Sequence, residues 1–489
     1  MVNPSYDDEC TIVIHGADAQ IRGFIPWKIV QEVTSFQPPG YQFSPQFKNR
    51  VWDGWIKLFK MRTKRFPAGL VSTVADHLLE ELGPDFRVTV EDHRPRPPNK
   101  QELGDDWWKT HPLSGVAFDY PYDYQPPAAV DLVQAERGVA AIATNGGKTE
   151  IACLIAQKLI VPTLFLVPGK DLLHQTYERF CKRLGFSCSD KEVGRIGDGK
   201  WQPGTWITIA TVASLYHNRA KAKTQEFLDK IDLMFIDECH KAASDSWYEV
   251  ARMCNAWYRY GLSGTPLKRT DGADIKLVGV TGPIVVEIRN KFLIERGVSV
   301  PVEIEFLDVK KPTGIHPKTP YQDVYKACIV DNVYRNKQFV QRIHHHVDQG
   351  RQGIALVKEI DHGVTIDKML WSMPKTSFTT HQFIHGKESS EIRQTALKNF
   401  AKGDLKVLIA TKILGEGIDL PSIDFIAKVG GGKSSIETLQ HVGRGMRKGG
   451  QGKLIVIDSV DYTHRYLTEH SLQRLEDYRG EDCFTIRKV

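Results

Sequence analysis

The chain has no run of apolar residues near the ~20 that a membrane-spanning helix requires, so no bilayer span is expected. Residues 1–9 lack a secretory-leader pattern, and a cytoplasmic location is the expectation. The eight cysteines form no CxxC pair, and Cys181 and Cys188 are badly spaced for zinc. Scattered reduced thiols are the reading that follows. No internal sequence repeat is visible. Nor is there a strong excess of one charge. The net charge of +6 permits a nucleic-acid partner without demanding one. His344-His345-His346 lies on a helix predicted to begin near Asn336, and reads as neighbouring surface histidines rather than a metal site.

What is present is a long, ordinary globular composition. At 489 residues, 41% hydrophobic and 25% charged, two or three domains are expected. The clearest linker is residues 93–100, where Pro95, Pro97 and Pro98 cannot continue a helix or central strand. Beyond it, short β-type apolar runs alternate with helical patterns. Residues 138–144, 163–167, 206–210 and 233–236 read as buried parallel strands, and 353–357, 406–410, 425–429 and 453–457 resume the series. Two α/β sheets joined near residues 285–305 are expected. The division drawn is 1–95, 96–290 and 291–489.

Ala143-Thr144-Asn145-Gly146-Gly147-Lys148-Thr149 joins a predicted strand to a predicted helix. Backbone N–H groups and a helix N-terminus then face phosphate oxygens. Lys148 suits the β- and γ-phosphates of ATP, and Thr149 suits Mg2+. The first glycine of the general phosphate-loop pattern is missing, because Ile142 stands there. Asp237-Glu238-Cys239-His240 ends an apolar run, at the strand end where open α/β sheets gather ligands. Asp237 suits Mg2+ and Glu238 suits the attacking water. An exposed acidic turn is the bland alternative, made weaker by Lys148 upstream.

About two hundred residues further on, Gln440, Arg444 and Arg447 occur in Gln440-His441-Val442-Gly443-Arg444-Gly445-Met446-Arg447. Arginines three apart share one helix face, and their planar guanidinium groups suit phosphate. The separation of these pieces suggests a nucleotide held between two lobes that close on ATP and open after hydrolysis.

The set resembles the superfamily 2 helicases, over roughly residues 115–475. The resemblance implies two tandem RecA-like parallel-sheet domains of α/β class, preceded by a small α+β N-terminal DNA-binding domain. Tyr124-Gln125 resembles the Q-motif, with Gln125 reading adenine and Tyr122 stacking on it. Pro168 and Gly169, Thr211, and Thr411 match segments that grip a DNA backbone. Ser263-Gly264-Thr265-Pro266 resembles the coupling motif, together with His240, while Gly417 and Asp419 fall where the ribose is approached. Asn145 departs from a frequent glycine, which puts the loop geometry in question.

From Lys48 to Arg65 there are seven basic residues against one acidic, although residues 1–95 are nearly neutral. Lys48, Arg50, Lys57 and Lys60 suit phosphate contacts, and an exposed aromatic there could stack on an unpaired base. Trp52, Trp55 and Phe59 could equally form a small core. Residues 40–59 with 66–71 are similar to the N-terminal part of the UvsW-like phage recombination helicases, as are Lys358 and His362-Gly363. The resemblance implies a monomeric ATP- and Mg2+-dependent motor in the host cytoplasm that remodels branched or forked DNA. Branch migration, fork regression and junction unwinding in recombination, repair or replication are the activities implied. An RNA-dependent ATPase, or a DNA-binding scaffold with a silent ATPase, stays open at this point. A P-loop kinase fits poorly, since it gives Gln440–Arg447 no role.

Overall fold

The structure is a computed structural model that describes residues 9–23, 27–95, 106–267, 272–309, 315–373, 380–411, 423–432, 442, 445–446 and 450–489. The chain divides into two compact units, Met1–Ile142 with Gly147–Glu287, and Ala143–Gly146 with Ile288–Val489.

In the first unit, β1 (Glu9–Ile14), β2 (Asp18–Arg22), β5 (Arg65–Pro67) and β6 (Arg87–Asp92) form a sheet of order β5-β2-β1-β6. A short ladder joins β3 (Ser35–Phe36) and β4 (Ile56–Lys57). The helix Val71–Leu82 buries Val71, Val74 and Leu78, three and four apart, against Ile12, Ile21 and Phe66 of the sheet.

This small sheet packs onto the rest of its unit. Both carboxylate oxygens of Asp18 lie 2.6 Å from Arg252 Nη2. The buried Arg94 guanidinium sits 3.7 Å from the Trp257 ring centroid and donates to the Trp257 carbonyl at 2.7 Å. Arg94 lies inside the proline-rich stretch expected to be a linker. Its partners hold that stretch's beginning against the motor sheet, something composition does not reveal. At Gly69 the backbones approach so closely that a Cβ would stand 2.0 Å from the Val278 carbonyl oxygen.

The larger sheet contains β7 (Arg137–Ile142), β8 (Thr163–Val167), β9 (Val193–Gly197), β10 (Lys200–Gln202), β11 (Ile207–Thr211), β12 (Leu233–Asp237), β13 (Tyr258–Ser263) and β14 (Ile284–Ile288). Its order is β10-β9-β11-β8-β12-β13-β7-β14, and the strands from β9 through β7 are parallel. Parallel strands covered on both faces explain the unbroken apolar runs. Phe235 pairs in register with Phe165 on one side and Tyr260 on the other, with ring centroids 5.6 and 5.7 Å apart. That aromatic row helps pin the register.

The second unit holds β15 (Val302–Val309), β16 (Gly353–Leu356), β17 (His381–Ile384), β18 (Val407–Ala410), β19 (Phe425–Ala427), β20 (Leu454–Asp461) and β21 (Phe484–Lys488). They form a parallel sheet of order β17-β18-β16-β19-β20-β15-β21. The strands β13 and β15 are not among those expected from sequence, because each buries a charge. Arg259 on β13 is sheathed by the carbonyls of Ala251, Cys254 and Val280. Glu305 on β15 is fully buried, accepting from Arg342 at 2.6 and 2.7 Å and from His346 at 3.0 Å.

That last contact corrects the reading of the histidine triplet as a surface feature. His344 and His346 are buried, and only His345 is exposed. Arg351 donates to His346 Nδ1 at 2.8 Å, so Nε2 carries the proton given to Glu305. Both ring nitrogens of His346 are thereby engaged in a structural ion network. Among the described residues, no helix is long and apolar enough to cross a membrane.

Candidate nucleotide site and nucleic-acid surface

Because β7, β8, β11, β12 and β13 are parallel, the segments following them all emerge along one edge of the sheet. The phosphate loop follows β7, and Gly147 caps the helix Lys148–Leu159 with φ of 81°. Ala143 and Gly146 are buried, while Thr144 and Thr149 are partly exposed. Asn145 adopts φ of 74°. Among non-glycine residues asparagine tolerates this left-handed region well, so the departure from glycine is accommodated without changing the turn. Lys148 Nζ lies 3.4 Å from the Ile142 carbonyl, folded back over its own loop.

Gln125 opens the helix Gln125–Ala135 and is buried. Its amide faces the loop so closely that a Cβ on Gly147 would stand 2.1 Å from Gln125 Nε2. Tyr122 is exposed just before it, and its carbonyl accepts from Gln125 N–H at 3.0 Å. The structure therefore sets the Gln125 amide against Gly147, with Tyr122 joined to Gln125 through its backbone.

At the end of β12, Glu238 takes φ of 48°, a left-handed turn that is costly for a non-glycine residue. The Glu238 N–H donates to Asp237 Oδ1 at 3.0 Å. Burial, with the Glu238 charge adding to it, pushes the Asp237 carboxyl up to about 7, while Lys148 pulls the other way. A divalent cation would relieve that cost. The carboxylate of Asp237 and the hydroxyl of Thr149 are the hard oxygen donors Mg2+ prefers, so the residues fit it.

From Glu238 a polar chain runs into the next strand. His240 Nδ1 lies 3.5 Å from Glu238 Oε2 and 3.2 Å from Ser263 Oγ, and the Thr265 N–H donates to that same hydroxyl at 3.2 Å. His240, Ser263 and Thr265 are all buried. The acidic turn and the segment after β13 are thus tied by side chains.

The expected DNA-gripping positions divide. Pro168 and Gly169 are half-buried, and a Cβ on Gly169 would meet nothing within 4 Å, leaving the N-terminus of the helix Lys170–Leu184 open. Thr211 is buried and caps its helix: it accepts from Ser214 N–H and donates to Ser214 Oγ at 2.8 Å. Thr411 in the second unit is buried. Gly417, Asp419, Gln440, Arg444 and Arg447 lie outside the described residues.

In the N-terminal segment Lys48, Arg50, Lys57 and Lys60 are exposed, and Lys57 is ion-paired with Asp53. The three aromatics separate: Phe59 is core, Trp52 is half-buried and Trp55 is 42% exposed. Phe43 and Val51, which sequence reasoning missed, are 70% and 80% exposed. The pairing of Trp55 with a glycine turn at 54 was the available signal.

His362 and Gly363 have structural duties in the second unit. His362 donates from Nε2 to Asn336 Oδ1 at 2.9 Å, and a Cβ on Gly363 would stand 2.2 Å from the Phe383 ring.

A strand–phosphate-loop–helix unit, an acidic turn on the same sheet edge and a second parallel-sheet unit define an ATP-driven helicase motor. Three families match the chain: residues 119–268 as "Type III restriction enzyme, res subunit", 335–449 as "Helicase conserved C-terminal domain" and 25–89 as "DNA helicase UvsW, N-terminal". The ATP-dependent DNA helicase uvsW of Enterobacteria phage T4 is 24% identical over 492 residues, covering 94% of this chain and 95% of that protein. The DNA 3'-5' translocase XPB2 of Sulfurisphaera tokodaii is 25% identical over 365 residues, 68% of this chain and 80% of that one. A solved structure of S. cerevisiae Dbp5 bound to Gle1 superposes with a TM-score of 0.51 at 16% identity, over 81% of this chain and 96% of that one, which speaks to the fold. Across these segments the chain is similar to the UvsW-like superfamily 2 helicases. Hydrolysis of ATP coupled to DNA unwinding is the activity these matches support.

Proposed function

We propose that this helicase remodels branched or forked DNA in recombination, repair or replication, acting as a monomeric motor in three parts, 1–95, 96–290 and 291–489. The observation that carries the reading is the union of a UvsW-type N-terminal segment at residues 25–89 with a motor whose Lys148, Asp237 and Glu238 are intact. A nucleotide-binding scaffold without turnover would have no use for the strained Glu238 turn.

Lys148 and the loop N–H groups of residues 143–149 would hold the ATP phosphates, with Tyr122 and Gln125 at the adenine. Thr149 and Asp237 would hold Mg2+, which supplies charge neutralisation at the phosphates. Glu238 would orient and deprotonate the attacking water. Gln440, Arg444 and Arg447 would supply polar and positive groups to the γ-phosphate, and Gly417 with Asp419 would meet the ribose. The resulting change at Glu238 would pass through His240 and Ser263 to Thr265. Pro168, Gly169, Thr211 and Thr411 would follow one strand's phosphates, Thr211 through its backbone or after releasing its cap. Such contacts carry little base readout.

ATPase stimulation by single-stranded, duplex, forked and four-way DNA and by structured RNA tests the reading. Forked or four-way DNA should stimulate most. Structured RNA outperforming them would overturn it.

A further inference from the structure

The basic N-terminal segment is not a uniformly charged face. Phe47, Val51, Trp52 and Trp55, with Lys48 and Arg50 beside them, line an open groove of ≈ 900 Å³. Its aromatic wall is held in place by short-range contacts. Trp52 Nε1 donates to the Trp55 carbonyl at 2.8 Å, and the Trp55 N–H donates to Asp53 Oδ1 at 3.1 Å. The Asp53 carboxylate is in turn ion-paired with Lys57. The turn between them needs Gly54, at φ of 86°, because a Cβ there would stand 2.5 Å from the Tyr41 ring. Tyr41 is itself braced edge-on by Phe47 at 4.9 Å.

With its carbonyl held by the Trp52 indole and its N–H by Asp53, Trp55 presents its ring from a fixed backbone in a groove rimmed by cations, which lowers the ordering cost of binding a flat ring. We infer that this groove takes an unpaired nucleobase, stacked on Trp55, while Lys48 and Arg50 hold the flanking phosphates. The inference rests on the DNA-binding reading of this segment and adds a preference for strands whose bases are out of the helix. Charge complementarity selects the occupant: seven cations against one acid between Lys48 and Arg65 favour a polyanion over an apolar peptide. Every base offers a π-face, so the pocket discriminates unpaired from paired rather than one base from another.

The test is fluorescence anisotropy of the full chain with a labelled fork, comparing single-stranded arms of natural nucleotides with arms of abasic spacer. The natural arms should bind about 5- to 150-fold more tightly. Trp55→Ala should collapse that ratio toward one, and Trp55→Phe should keep part of it. Thermal melting of each variant confirms folding. A ratio unchanged by Trp55→Ala overturns the base pocket while leaving the cationic surface standing. If Lys48→Ala with Arg50→Ala also changes affinity for neither fork, the DNA-binding reading of this segment falls with it.

Discussion

His240 Nδ1 and Ser263 Oγ stand 3.2 Å apart, both buried, joining the acidic turn after β12 to the segment that follows β13. The same serine hydroxyl receives the Thr265 N–H, so one oxygen connects two motifs.

Ser263→Ala removes that oxygen and leaves two partners without it. A stability loss of about 1–3 kcal/mol is expected, as for a buried hydrogen bond. The larger effect should be on coupling: ATP consumed per base pair unwound should rise several-fold, measured by phosphate release and strand separation in parallel. An unchanged ratio would remove this serine from the coupling route.

Glu238→Gln preserves shape and turn geometry but removes the base. ATP binding, followed with a fluorescent analogue, should persist, while turnover should fall about 10²–10⁴-fold. Normal phosphate release from this variant would exclude Glu238 as the group that activates water.

Gly69→Ala tests the docking of the small sheet. The new methyl would meet the Val278 carbonyl and the Gly279 backbone, neither of which can rotate away. Overpacking of this kind costs about 1–3 kcal/mol, visible in chemical denaturation. Gly169→Ala, with open space around its Cβ, should change stability by less than about 0.5 kcal/mol.

His362 gives the second unit an acid-sensitive core. Burial, with the nearby Arg335 charge adding to it, pulls its imidazole down to about 3. Its Nδ1 is buried without a hydrogen-bond partner, so protonation there meets no acceptor. Between about 6.5, the ordinary histidine value, and about 3 the unfolded chain binds the proton and the folded chain does not. Stability therefore falls as pH drops through that window. His362→Gln should flatten this part of the profile, with denaturation at pH 7 and pH 5 as the check. Equal pH dependence in both proteins would contradict it.

Salt dependence reports how many phosphates the N-terminal surface neutralises. Lys48→Ala with Lys60→Ala should reduce the slope of log affinity against log salt by about 2, one for each ammonium removed from a phosphate. Lys57→Ala should reduce it less, because Asp53 already neutralises that ammonium. An unaltered slope in the double variant would place DNA elsewhere.

The strand segments that were legible are those with nearly every side chain apolar. Leu233–Asp237 and Thr163–Val167 were readable because strands covered on both faces need no alternation. Val302–Val309 and Tyr258–Ser263 were not. Their buried Glu305 and Arg259 are satisfied by groups from 37 to 182 residues away in one case and by carbonyls 5 to 21 residues away in the other. The Glu305 partners lie beyond any local window, and the backbone carbonyls that satisfy Arg259 are common to every residue type and so leave no mark in the sequence.

What the sequence determined by itself was the chemistry that travels in contiguous residues. Residues 143–149 and 237–240 state their purpose locally, since a phosphate loop and an acidic turn are each built from one short stretch after one strand. Tertiary structure alone decided which aromatic of Trp52, Trp55 and Phe59 faces outward, and that the small sheet is fastened to the motor through Asp18, Arg94 and Gly69. Those outcomes depend on surfaces meeting across long separations, where complementary shape and charge arise only once both partners have folded.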